Sequence, residues 1–246
     1  RHLIWQLYHR VGDRQAALAV LREINAAPHV PEDLPRYEVL LEDTADRLWG
    51  AKAADLLLEA ADRHRADGRA ADELRVLVKA WNRLSADGAK GGQVLARADE
   101  LVAAGGDTLP RADVGRVHLA TASAAAVAFD ASVASGASVA SADAVDSADT
   151  VAEALERAGR AVSLLADEPE GLSEALTVHA RLLLTAGRAE EAVARLREVL
   201  ALDGGGIEWH AVRLLIRALR ATDRHGEATA MMEEYGFDED DLAEDD

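Results

Sequence analysis

Residues 173–206, SEALTVHARLLLTAGRAEEAVARLREVLALDGGG, carry two apolar stripes that meet at a glycine. Leu176, Ala180 and Leu183 recur at helical spacing before Gly187, and Ala192, Leu196, Val199 and Leu200 do so after it. Neither helix can bury its stripe alone, so the two read as an antiparallel hairpin that requires stacked neighbours. That requirement restricts the chain to an all-α repeat stack more sharply than its composition does.

The segment resembles the tetratricopeptide repeat, a helical hairpin of about 34 residues. In that family a small residue in the first helix lets the second pack close, a glycine makes the turn, and an alanine of the second helix faces the first. Ala180, Gly187 and Ala192 take those places here. Leu183 and Leu196 stand where the family prefers larger residues, and Gly204 where it prefers a helix-ending proline. The register recurs twice. Gly12, Ala17 and Leu21 keep the same spacings near the start, and Asp223, Ala228 and Met232 lie 36 positions after Gly187, Ala192 and Leu196. The resemblance covers roughly the first 26 residues and residues 173–236. It implies an all-α, TPR-like α-solenoid, a superhelix of about six hairpins and about 12 helices with a concave face open to a partner.

In chain order, residues 1–11 are expected to be the end or whole of a first helix and Asp13 to Asn25 a second, with Pro28, Pro31 and Pro35 expected to make a connector. Pairs follow over 36–48 with 51–65, and over 70–85 with 92–104, with the glycines at 88–92 as turn residues. A helix after Pro110 runs to about Phe129. Residues 131–148, ASVASGASVASADAVDSA, hold almost no large side chain. They are expected to be a flexible linker or insertion, with alanine-supported extension of the flanking helices as the alternative. Helices over 150–166, 173–186, 189–202, 207–221 and 226–235 complete the stack. The expected domain order is therefore N-terminal helical repeats over 1–130, the Ala/Ser-rich stretch over 131–148, C-terminal TPR-like repeats over 149–236 and an acidic tail over 237–246.

The formal charge is −18, and the last 14 residues hold nine acids with no Lys or Arg, so half of the excess sits at one end. Such a chain is a poor binder of phosphate backbones, so no direct nucleic-acid partner is expected. No apolar run is long enough to be read as a membrane span. With no cysteine, disulfides and thiolate metal sites are excluded, and a cytoplasmic setting is expected. Because Arg1 falls inside a helical pattern, the natural chain is expected to begin earlier.

Signs of catalysis are missing from the sequence. The histidines at 2, 9, 29, 64, 118, 179, 210 and 225 make no HExxH pair, and neither a GxxxxGK[ST] loop nor a GxSxG elbow occurs. No enzyme activity, cofactor or metal is therefore expected. In the family, the first helix of each repeat lines the groove. Carried over by position, the resemblance places Glu174, Thr177, Arg181, Leu184 and Thr185 there from one repeat, and His210, Arg213, Arg217 and Arg220 from the next. Intervals of four and three put the last three arginines on one helical face. Such a strip holds a carboxylate-rich peptide through paired hydrogen bonds. The same residues would equally serve as a solvated face paired with nearby acids.

The candidate partner-binding residues are Arg181, His210, Arg213, Arg217 and Arg220. Residues 239–246 are candidates to fold back on the arginines and compete with a partner. Trp81 and Trp209 read as packing residues, with peptide stacking as the alternative, and Met231 and Met232 as filler of the last helix. The lysine and asparagine clamp of the family's chaperone-binding members is absent, so that partner class is not expected. The reading is a non-enzymatic scaffold or adaptor for a protein or peptide partner of acidic character. The alternative is the sensor or regulatory region of a larger signalling or transcription-regulator protein. The sequence assigns no oligomeric state.

Overall fold

A computed structural model describes residues 12–25, 36–84, 88–134, 143–202 and 209–239. The expected first helix at 1–11, the proline connector, the turn at Gly204 and the tail beyond Glu239 lie outside the described residues. Among the described residues every α-helix joins a stack and no strand occurs. The helices are α1 (Arg14–Asn25), α2 (Tyr37–Ala45), α3 (Ala51–Ala66), α4 (Ala70–Leu84), α5 (Gly88–Gly105), α6 (Arg111–Ala134), α7 (Asp143–Leu164), α8 (Pro169–Thr185), α9 (Ala189–Ala201), α10 (Trp209–Ala221) and α11 (His225–Tyr235). A short 3-10 turn, Gly106–Thr108, follows α5. The chain divides into two compact units, Arg1–Asp113 and Val114–Asp246.

In the first unit alanine sets how closely the helices approach. Ala53, Ala54, Ala60 and Ala61 of α3 are fully buried, and so are the larger Leu41 of α2, Leu57 of α3, and Leu74 and Leu77 of α4. Small residues opposite large ones let thin helices interdigitate at native density. Polar groups also enter this packing. Glu38, Glu73 and His64 are all buried. Arg69 donates to Glu38 at 2.5 Å, and Glu73 accepts from Arg65 at 3.0 Å and from Arg97 at 2.8 Å. His64 Nε2 stands 3.5 Å from Glu42 and Nδ1 stands 4.0 Å from Asp72. Arg22, Tyr37 and Glu59 close a triangle across α1, α2 and α3. Burial, reinforced by the Glu59 carboxylate, pushes the Tyr37 phenol up to about 12.

In the second unit α6, α7 and α8 meet through Ala122, Ala126, Ala154, Ala158 and Leu182, and through Leu119, Ala161, Leu165 and Ala175. A larger cluster continues from Leu176, Ala180 and Leu183 of α8 through Ala192, Leu196 and Val199 of α9 to α10 and Ala228 of α11. The two stripes read from the sequence are therefore the seam of this unit. Met231, Met232, Tyr235 and Phe237 pack half-buried against its end.

The hairpin turn predicted at Gly187 has a defined geometry. Gly187 adopts φ +72, and the N–H of Arg188 donates to the carbonyl of Leu183 at 2.8 Å, the bond that closes a helix whose next residue is left-handed. The same bond runs from Arg224 to Leu219 at 2.9 Å, with Asp223 in the glycine's place at φ 56. It recurs from Arg69 to His64 around Gly68. The register inferred from Gly187 and Asp223 is thus a repeated backbone shape.

Ion pairs reveal a second periodicity, between every other helix. Arg22 of α1 meets Glu59 of α3, Glu42 of α2 meets Arg75 of α4, Asp62 of α3 meets Arg97 of α5, and Arg197 of α9 meets Glu227 of α11. The partners are 37, 33, 35 and 30 residues apart, close to one repeat. Between α6 and α8 the same kind of pair joins Arg116 to Glu168 and Asp130 to Arg181, at separations of 52 and 51. Each unit is therefore a two-layer stack of antiparallel hairpins, in which helices two apart lie side by side.

Some boundaries differ from the sequence expectation. Helix α6 continues to Ala134 and α7 begins at Asp143, so residues 131–134 and 143–148 are helical, and 135–142 lie outside the described residues. Alanine costs least to place in a helix, so these ends continue α6 and α7 without a large side chain to pack. Helix α5 starts at Gly88 rather than near Gly92 and draws the glycine cluster into its first turns. There Gly91 is buried, and a Cβ on it would lie 3.9 Å from Trp81, which is itself half-buried as a packing residue.

Candidate functional site: the arginine face of α10

Helix α10 is the most amphipathic of the second unit. Ala211, Val212, Leu214, Leu215, Ile216, Ala218 and Leu219 are buried, which anchors the helix along most of its circumference. The remaining strip holds Trp209, Arg213, Arg217 and Arg220, at intervals of four, four and three. The three arginines are half-buried, and the Nε of Arg213 is itself shielded from solvent. His210 and Trp209 are exposed at the helix start. From His210 to Arg220 the helix rises about 15 Å. Four of the five sequence-derived candidates therefore share one helix.

Arg181, the fifth, stands on α8 and is half-buried against Asp130 of α6, whose carboxylate it engages. Of the other positions carried over with it, Thr177 is buried and its hydroxyl donates to the Ser173 carbonyl at 2.9 Å, while Glu174 is exposed. Thr185 turns its hydroxyl to the Arg181 carbonyl at 3.1 Å. These two threonines thus hydrogen-bond their own helix.

Arg220 holds a carboxylate. Its Nη1 donates to Glu239 Oε2 at 3.0 Å and its Nη2 to Oε1 at 2.7 Å, the parallel two-bond geometry that guanidinium and carboxylate favour. Nη2 also lies 3.0 Å from Met232 Sδ. The hydrogen bonds from Arg220 hold the Glu239 carboxyl below the usual carboxylate range, and Glu239 raises the Arg220 guanidinium in turn. At the other end of the strip the Trp209 and Phe237 rings meet edge to face, 5.6 Å apart at 69°.

The chain resembles TPR-like repeat proteins. A crystal structure of a putative kinesin light chain from Podosopora anserina, with nearly identical TPR-like repeats, is similar to it at 19% identity, 95% of this chain, 90% of that chain and a TM-score of 0.38 or 0.39 in two structures, the second covering 94% of this chain. No protein-family model matches the chain. No curated protein matches it either.

Two features escaped the sequence reading. Asp130 was not paired with Arg181, because 51 residues separate them where a repeat spans about 34. Trp49, 82% exposed beside the α2–α3 turn, carries the Arg83 guanidinium 4.6 Å above its ring. An acid and a base about one repeat apart is the sequence signal that would find the other alternate-helix pairs; nothing in the local sequence marks Trp49.

Among the described residues no helix is long and apolar enough to cross a membrane.

Proposed function

We propose that this chain is a non-enzymatic protein-interaction scaffold, and that Arg181, His210, Arg213, Arg217 and Arg220 receive an acidic peptide or an acidic segment of a partner protein. One observation carries the reading: the strip on α10 already presents a guanidinium fork in the geometry that binds a carboxylate, with Glu239 seated in it. Arg213 and Arg217 stand on the same face of the helix as Arg220 and add positive charge along it, which favours a run of acids over a single one. The helix itself is fixed by its buried face, so little ordering opposes binding.

The test is affinity capture from the source organism with the full chain, beside a chain carrying Arg213→Glu, Arg217→Glu and Arg220→Glu. The expected result is an acidic protein retained by the first and lost by the second, in a manner weakened by salt. Retention of every captured protein by the triple variant would remove the site.

A further inference from the structure

The C-terminal end of the second unit does more than stop. Helix α11 closes at Gly236, whose φ of 73 lets the Phe237 N–H reach back to the Met232 carbonyl at 3.0 Å. This reversal turns the chain onto α10. Phe237 packs half-buried at the edge of the core and meets Trp209, and two residues later Glu239 meets Arg220. Trp209 and Arg220 are the first and last members of the strip, so residues 236–239 reach both of its ends.

We propose that Gly236–Glu239 is a built-in occupant of the α10 strip, and that the external ligand is an acidic segment bearing an aromatic residue two positions before a carboxylate, which binds by displacing this strap. The inference rests on the α10 strip being a peptide-binding face. The chemistry of the ligand is read from the strap itself: Phe237 supplies a ring that meets Trp209 edge to face, Asp238 adds charge, and Glu239 supplies the two acceptor oxygens for Arg220. The carboxylate contact lies in solvent, with the Glu239 side chain 73% exposed and that of Arg220 35% exposed. Exposed pairs of this kind contribute little to stability, so a ligand with the same groups and further acids can replace it.

The experiment uses the full chain and a fluorescein-labelled peptide with the sequence of residues 233–246, followed by anisotropy at low ionic strength. Protein variants are Glu239→Gln alone, which leaves the core untouched, and Phe237→Ala with Glu239→Gln, each compared with the parent by thermal unfolding. The parent is expected to bind weakly, because only the fraction with its strap open is competent. Glu239→Gln is expected to bind several-fold more tightly and the double variant roughly tenfold more tightly. Adding Arg217→Glu and Arg220→Glu to the Glu239→Gln chain abolishes binding. An amidated peptide of identical composition, with its tyrosine and phenylalanine both moved to the C-terminal end so that no aromatic stands two positions before a carboxylate, binds the strap variants more weakly than the native order.

Equal affinity of the parent and both strap variants would overturn the strap as a competitor while leaving the peptide-binding face intact. Equal binding of the rearranged peptide would overturn the aromatic-carboxylate spacing and reduce recognition to net charge. Absence of binding to every variant, or binding indifferent to the arginine reversals, would overturn the peptide-binding face and this inference together.

Discussion

Gly115 of α6 lies so close to Leu165, at the end of α7, that a Cβ on the glycine would stand 2.9 Å from the leucine Cγ and 3.0 Å from the Cβ of Leu164. Leu165 is fully buried and a neighbour's Cβ cannot swing aside, so α6 and α7 touch without slack here. Gly115→Ala gains about 1 kcal/mol of helix propensity but incurs an overpacking cost of about 1–3 kcal/mol, so a net loss of about 1 kcal/mol is expected. Gly159→Ala in α7 is the contrast. Its Cβ would meet only His179, at 4.0 Å, and it should stabilise the chain by about 0.5–1 kcal/mol. Urea unfolding of the two variants side by side checks the opposite signs.

Glu73 and Arg65 share a hydrogen bond but not an environment. The Glu73 side chain is 3% exposed and that of Arg65 is 55% exposed. Removing Arg65 as Arg65→Ala leaves Glu73 with Arg97 and should cost within about 1 kcal/mol. Glu73→Ala instead strips Arg97, whose side chain is 18% exposed, of its buried partner. A loss of about 2–4 kcal/mol is expected, moderated by the remaining Arg97–Asp62 contact. Similar losses for the two variants would contradict the difference in burial.

His179 is expected to make the second unit sensitive to acid. It lies half-buried on α8, with Gly159 of α7 on one side and Arg188, Glu191 and Arg195 of the α9 region around it. Burial, then Arg195 and Arg188, lower its pKa from the ordinary 6.5, and Glu191 opposes them. The unfolded state therefore takes up the proton first as pH falls. The stability associated with neutral His179 is fully present above about pH 6.5 and declines below it as pH falls towards the lowered folded value. His179→Leu should flatten the stability curve below about pH 6.5. An unchanged slope in thermal melts across that window would exclude His179 as its source.

Asp223 holds the left-handed turn position that Gly187 holds one hairpin earlier. An L-residue in that conformation is strained by about 1–2 kcal/mol, and glycine returns about 0.4–1 kcal/mol of that through the freedom of the unfolded chain. Asp223→Gly should therefore raise stability by about 0.5–1 kcal/mol without altering peptide binding at α10. A lower melting temperature for this variant would show that the aspartate side chain contributes to the turn.

How far the sequence carried differs between elements for physical reasons. The α8–α9 hairpin was legible because Ala180, Leu183, Ala192 and Leu196 lie at 0–1% exposure on the stripes that spacing alone defines. The equivalence of Gly187 and Asp223 was legible because turn geometry is local. Helix ends around 131–148 were not, since alanine suits a helix and a loosely packed stretch alike and periodicity vanishes when every side chain is small. The arginine strip was visible as a pattern of intervals, and of residues 239–246, expected to fold back on it, Glu239 alone is described. What spacing could not supply was Phe237 beside Trp209, which depends on the reversal at Gly236. Nor could it supply the burial of Glu38 and Glu73, which depends on Arg69 of the α3–α4 turn and Arg97 of α5.

The alternate-helix ion pairs hold their spatial order even where the chain between them is half as long again. From Arg116 to Glu168 and from Asp130 to Arg181 the path is 52 and 51 residues, yet the partners meet as pairs do elsewhere at 30–37. Helices two apart meet through side chains whether 30 or 52 residues separate the partners. Material added between α6 and α7 is therefore expected to leave α6 and α8 side by side.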